Sequence, residues 1–464
     1  MLKQRKARVF TGERERQPKH LKGISAFSLA GVGIGGVVGA GFLLGSGLAV
    51  QQAGPSVVLA FLLGGLVMMQ VLGAMTSVAV NRVVPGSFRV HTEQMLGRYS
   101  GFLMGWMAFA SGILGLGSEA LAMGIFSRYW LPGMPLAILA TVFMLVVIGI
   151  NAFDVKNFSK IETWMTVVKV GALLAFILLG GFAILTAGKA LVSPSPIAGF
   201  GAMFPKGWSG MLESMLIVIF CYSGIGAVAM AGTEARDPER DIPKATWYMA
   251  IAVIFLYVAA MAVLMFVTPW SGVDVKESPF VQAFDSLRLG WASTGMNLII
   301  LIAAFSVMAA TYFACMQMLV SLSEAGEAPK FCAKKSGKLG LYRIAWLIVG
   351  GAGLLIMGLS FVLPPKLFHY LVAASSYFSF AMWALNLLTY LVWLKKRETE
   401  ETHHSALVFG RPGAYLTLAA IAVLAGMSLR VADFRMGFYV AAGLTLVITA
   451  AYWVWARMGL AKRA

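Results

Sequence analysis

Charge is what this chain has least of. Only 12% of its 464 residues are charged, and no Asp or Glu occurs between Glu15 and Glu93. With 59% hydrophobic residues and a mean hydropathy of +0.80, the chain reads as an integral membrane protein. Cysteine is scarce as well. Cys221, Cys315 and Cys332 form an odd set with neither a disulfide framework nor a metal-ligand spacing. The five histidines, at 20, 91, 369, 403 and 404, lie outside the deep apolar runs or at their ends. A clustered acid–base or metal set such as H-E-x-x-H is missing, so no catalytic residue, metal site or cofactor is expected and an intramembrane enzyme is disfavoured. The short alternating strands of an outer-membrane barrel are absent. Rings of like charge and repeated filter loops, the marks of a channel, are also not visible.

Continuous apolar runs of near twenty residues are present instead, the length a helix needs to cross about 30 Å of hydrocarbon. Twelve spans are read. Among them are span one at about 24–46, span three at 101–126, span five at 161–186, span six at 211–233, span seven at 246–268 and span eight at 292–322, and 187–210 reads as a loop. With both termini inside, 28 Lys and Arg lie on the cytoplasmic side and 8 on the other, with Lys169 buried mid-span. This is the positive-inside asymmetry, and it accounts for the net charge of +17 without any nucleic-acid partner. The bilayer is the expected partner. The basic segment before Lys22 has no short apolar core with a cleavage site and reads as a cytoplasmic tail.

Span one is broken by glycine. Residues 31–47 hold Gly33, Gly35, Gly36, Gly39 and Gly41, each costing a helix roughly 1 kcal/mol against alanine. In lipid, a broken helix must find other partners for its freed N–H and C=O groups, and a small polar ligand can supply them. Two plainer readings compete. Gly35/Gly39 and Gly41/Gly45 are small-xxx-small pairs that let helices approach. Gly31–Gly36 also spells G-x-G-x-x-G, but neither the strand nor the acidic ribose ligand of a dinucleotide site accompanies it. A second interruption, Phe220-Cys-Tyr-Ser-Gly-Ile-Gly226, lies in span six. Paired interruptions in corresponding halves point to a transporter's midplane site and to inverted repeats. The expected division is a tail at 1–22, a first repeat at 23–190, a second at 191–395, and two further helices with the C-terminus at 396–464.

At these breaks the sequence resembles the amino acid–polyamine–organocation (APC) superfamily of permeases, in its bacterial amino acid transporter branch. The likeness runs from Leu21 to about span twelve. It rests on Gly-Gly-Val-Val-Gly-Ala-Gly (35–41), Ala53-Gly-Pro-Ser56, Pro85-Gly-Ser-Phe88, Glu119, Lys160-Ile-Glu162, Val168-Lys-Val170, the Glu234–Ala245 segment and Gly326-Glu-Ala-Pro-Lys330. The resemblance implies an all-α membrane protein of twelve transmembrane helices in a LeuT-type five-plus-five inverted repeat, with helices 1 and 6 unwound at mid-membrane. It also implies that the N–H groups of Ala40 and Gly41 hold a substrate carboxylate, and that the carbonyls of Val37, Phe220 and Ser223 hold its ammonium. Gly39 and Gly224 flank these contacts, and Phe220, Tyr222 and Met123 shape the side-chain pocket. A half-helix N-terminus attracts anions and a C-terminus cations, which suits a zwitterion.

For coupling, the resemblance places the Lys169 ammonium against the carbonyls of Gly35 and Val38 and near Ser306. Lys169 is then either a proton relay or a fixed structural cation. Glu119 is either a second proton site or a hydrogen-bonding partner of a neighbouring helix. Two departures matter. The branch pattern Gly-x-Glu is Gly224-Ile-Gly226 here, which weakens the case for a cationic substrate, and an arginine of span eight is Gln317. The expected function is proton-coupled import of a neutral amino acid across a bacterial cytoplasmic membrane. Proton-independent exchange, uniport and a carrier-fold nutrient sensor stand as alternatives.

Overall fold

The computed structural model describes residues 25–81, 88–152, 158–187, 191, 195–226, 236–336, 341–363, 366–396 and 407–457. The N-terminal tail, Pro85–Ser87, the far end of span six with Glu234, and the side chains of Lys160 and Glu162 lie outside the described residues.

Helix α1 (Ala26–Val37) starts on Ser25, whose hydroxyl accepts from the Ser28 N–H at 3.3 Å. It is followed by α2 (Ala40–Leu43), α3 (Gly45–Ala53) and, after a tight turn at Gly54–Ser56, α4 (Val57–Asn81). A short helix α5 (Arg89–Leu96) leads into α6 (Arg98–Ser127), then α7 (Leu136–Ile150) and α8 (Phe158–Ala187). The second part of the chain runs α9 (Phe200–Met203), α10 (Gly207–Cys221), α11 (Pro238–Val267), α12 (Pro279–Ser286) and α13 (Gly290–Glu324). It closes with α14 (Arg343–Ser360), α15 (Leu367–Lys396), α16 (Gly410–Ser428) and α17 (Ala432–Arg457). Among the described residues, 9 helical stretches are long and apolar enough to cross a membrane, and Ala26–Val37 and Leu136–Ile150 are shorter apolar helices. The chain is a multi-pass membrane protein.

Side chains on the rim agree with that solvent. Along α8, Leu178, Phe182 and Leu185 are exposed, as are Leu446, Val447 and Trp453 along α17. Water does not tolerate apolar stripes of this size, and acyl chains do. In the interior, α3 packs on α10, α4 on α11, α6 on α13 and α7 on α14, while α15 lies against α6 and α17. Each of the first four spans thus meets the span five places further on.

Two element boundaries differ from the hydropathy reading. The helix of span seven starts at Pro238, well before the apolar run, and takes Pro243 into its interior. Its start is electrostatic. The Asp241 carboxylate accepts from the Asp237 N–H at 3.0 Å, and Glu239 and Asp241 put negative charge at the helix's positive end. The stretch 187–210, read as loop, holds α9 and the first turn of α10.

The Gly326–Lys330 motif is met at one end of the bundle by a buried arginine. Arg89, next to Phe88, is buried and donates to Glu327 of the Gly326–Lys330 segment at 2.7 Å and to Glu93 at 3.1 Å. Trp455 of α17 donates to the Gly326 carbonyl at 2.8 Å beside them.

Candidate functional site

The first interruption falls where two β-branched residues meet a glycine. Val37 ends α1, and the Val38 N–H still reaches the Ile34 carbonyl at 3.0 Å. Val38 (φ −78°, ψ 93°) and Gly39 (φ −138°, ψ −165°) are then extended, and α2 begins at Ala40. β-Branched residues and glycine are both weak helix formers, so the ladder stops at low cost here. The freed ends are met by two buried charged side chains. Lys169 of α8 donates through Nζ to the Gly35 carbonyl at 2.9 Å and to Ser306 Oγ of α13 at 2.8 Å. The Ala40 N–H donates to Glu119 Oε2 of α6 at 3.3 Å. Each partner complements its half-helix: a donor faces the carbonyl end of α1, an acceptor the N–H end of α2. Gly39 is closely packed, since a Cβ there would stand 3.0 Å from Glu119 Oε1 and 3.0 Å from Val307.

The second interruption follows Cys221, the last residue of α10. Residues 222–225 form a turn in which the Ser223 N–H returns to the Phe220 carbonyl at 2.9 Å. Gly224 adopts φ +94°, open to glycine and strained for other residues. A Cβ on it would lie 2.5 Å from the Gly36 carbonyl oxygen, so the two interruptions touch backbone to backbone. Gly41 is equally confined, with the Phe220 ring 2.9 Å from its hypothetical Cβ. The Cys221 thiol donates to the Gly41 carbonyl at 3.0 Å, and Tyr222 donates to the Phe61 carbonyl at 2.8 Å.

Of the residues singled out for the site, Gly35, Val37, Val38, Gly39, Ala40, Gly41, Phe220, Tyr222, Ser223 and Gly224 all lie in or beside these two breaks. Lys169, Ser306 and Glu119 reach the first from α8, α13 and α6. Met123 is buried on α6 one turn beyond Glu119. Tyr257 of α11 was not singled out. Its hydroxyl lies 3.1 Å from the Val37 carbonyl and 3.3 Å from that of Cys221. A lone tyrosine in an apolar run was the available signal, because a buried phenol needs a partner, but sequence does not say which.

Access to the pair of breaks is one-sided. Every residue from Val37 to Val50 and from Ser214 to Tyr222 is buried, whereas Gly36, Ser223 and Gly226 are half-buried and Gly224 is exposed. On the closed side α12 forms a lid. Ser278 donates to the Leu43 carbonyl at 2.8 Å, and Phe280 sits against Phe42 and Phe176 with ring centroids 5.3 and 5.1 Å apart.

A family model described as amino acid permease matches residues 30–463. Among curated relatives, the amino-acid permease AapA of Bacillus subtilis is 28% identical over 447 residues, covering 96% of each chain. The aromatic amino acid transport protein AroP of Escherichia coli is 29% identical over 398 residues, covering 85% of this chain and 87% of its own. Among solved structures, MhsT in complex with L-phenylalanine superposes with a TM-score of 0.61 at 16% identity, over 88% of this chain and 99% of that one. The two share a fold.

Proposed function

Because the chain belongs to the amino acid permease family, we propose that it imports a neutral amino acid by alternating access, driven by protons. One observation carries the reading: two helix interruptions meet at one place, leaving backbone N–H and C=O groups outside any ladder. In this reading the substrate carboxylate binds the N–H groups of Ala40 and Gly41, displacing the Glu119 carboxyl that accepts from Ala40 in its absence. The ammonium binds among the carbonyls of Val37, Phe220 and Ser223, and Phe220, Tyr222 and Met123 border the side chain. Lys169 and Glu119 are the proton-responsive groups, since each is a buried ionisable side chain bonded to one half of the broken helix. Displacing the Lys169 ammonium from Gly35 or the Glu119 carboxylate from Ala40 frees that half to tilt.

The architecture proposed is twelve spans in a five-plus-five inverted repeat, 23–190 and 191–395, with 396–464 outside it. The pairing of each early span with the one five places later supports this. The basic residues of alternate loops support a bacterial cytoplasmic membrane with both termini inside. Gly226, in place of the branch's carboxylate, supports a neutral substrate, and the aromatic specificity named for the E. coli relative agrees. The same missing carboxylate removes one proton site, which keeps a second reading in play: exchange of amino acids without proton movement.

A thermal-shift screen of the twenty amino acids on purified protein finds the substrate, and uptake of the best hit into proteoliposomes under an imposed pH gradient tests the coupling. Accumulation abolished by an uncoupler is expected. Accumulation indifferent to it leaves exchange, and binding without any transport refutes the carrier.

A further inference from the structure

Tyr257 belongs to neither break yet touches both. Its side chain is fully buried. The ring stacks on Phe42 with centroids 3.6 Å apart and planes 5° from parallel, and Phe61 meets it edge-on at 5.9 Å. The position of the hydroxyl is therefore set by packing. It lies within hydrogen-bonding distance of two carbonyls, Val37 at the end of α1 and Cys221 at the end of α10, both residues buried. Each of these carbonyls is an acceptor whose helix stops before supplying a donor.

A phenol has one proton to donate, so Tyr257 satisfies one of the two at a time. In a buried position no water replaces the missing donor, and an unpaired acceptor there is costly. A primary ammonium brings three donors and no acceptor. It can satisfy the carbonyl left over and donate a second bond to the phenol oxygen, whose lone pairs remain available.

The geometry points to Tyr257 as the positioning residue of the site. It ties the ends of the two broken helices to one shared oxygen, and so holds ready an acceptor pair for the ammonium of the substrate. This rests on the amino acid carrier reading and adds to it a residue outside both breaks.

The test uses the full-length protein and two ligands: the amino acid that binds best, and its des-amino analogue, with the same carboxylate and side chain but no ammonium. Tyr257→Phe removes one oxygen and keeps the ring and its stack. The preference for the amino acid over the analogue is expected to fall about tenfold, the worth of one hydrogen bond, while affinity for the analogue is unchanged. Tyr312→Phe removes a phenol that donates to the Trp346 carbonyl at 2.6 Å, away from both breaks. It should lower the melting temperature and leave the preference intact, which separates positioning from loss of stability. A Tyr257→Phe protein with the wild-type preference overturns the assignment. A wild type that binds no amino acid overturns the carrier reading as well. If Tyr257→Phe does not fold, Phe42→Leu loosens the stack and keeps the hydroxyl; the preference should then fall by less than the roughly tenfold worth of the whole hydrogen bond, and an unmoved preference counts against the proposal.

Discussion

The two breaks are built from different chemistry. At the first, the freed backbone is met by two ionisable side chains, Lys169 on Gly35 and Glu119 on Ala40. At the second, the described contacts are neutral: a phenol on Cys221, a thiol on Gly41, and a glycine pressed against the Gly36 carbonyl. The first break holds both of the groups proposed to respond to protons. The neutral one depends on fit. The carrier proposed above would have a region suited to each of its two tasks, coupling and recognition.

Substitutions can break that contrast. The largest effect is expected from Lys169→Met, which removes the charge and strands the Gly35 carbonyl. Losing a charged hydrogen bond of about 1.5–3 kcal/mol should cut gradient-driven uptake by about 10–100-fold, measured in proteoliposomes. Uptake that survives and still follows the pH gradient would show that the charge is only structural. Next comes Gly224→Ala at the neutral break. A side chain at positive φ costs about 1–2 kcal/mol, and its methyl group meets a backbone oxygen that cannot rotate away. A loss of several degrees in melting temperature is expected, with no change in the pH dependence of whatever transport remains. Glu119→Gln keeps an acceptor for the Ala40 N–H but holds no charge, so binding should survive with a flattened pH profile of uptake.

A reference point away from both breaks sharpens the comparison. Burial lifts the Glu327 carboxyl to about 7 despite the Arg89 guanidinium beside it. The folded chain therefore binds this proton more tightly than the unfolded chain, whose carboxyl titrates near 4.5. The stability this group contributes is greatest below about 4.5 and declines as pH rises through 7. Glu327→Gln should flatten that part of the melting-temperature curve between pH 5 and 8 and leave substrate preference alone. The smallest effect belongs to Cys221→Ala. A thiol is a weak donor, and a change within about 1 kcal/mol in binding or stability is expected.

The parts of this molecule legible in its sequence are those where a residue type is costly in its surroundings. Glycines inside an apolar run cost helix, so both interruptions announce themselves. A lysine and a glutamate inside spans cost solvation, so Lys169 and Glu119 stand out. Family membership and the membrane class follow from features of that kind. What stayed hidden was carried by residues at home where they are. Tyr257 and Phe42 fit any apolar helix, and only the crossing of α11 over two broken ends gives that phenol its position. The beginning of α11 was obscured because a polar first turn precedes its apolar run. Ser278 reads as an ordinary helix cap, and it is one, accepting from the Phe280 N–H at 3.3 Å; nothing local discloses that it also holds Leu43.

That last contact has a mechanical consequence. The segment Ala40–Leu43 is one helical turn, gripped at its start by Glu119 and at its end by Ser278 of the lid. A rigid turn clasped at both ends is a lever: a tilt begun at either grip is transmitted to the other. The helix that covers the site and the piece of backbone proposed to greet the cargo therefore share one turn, and a shift of either is a shift of both.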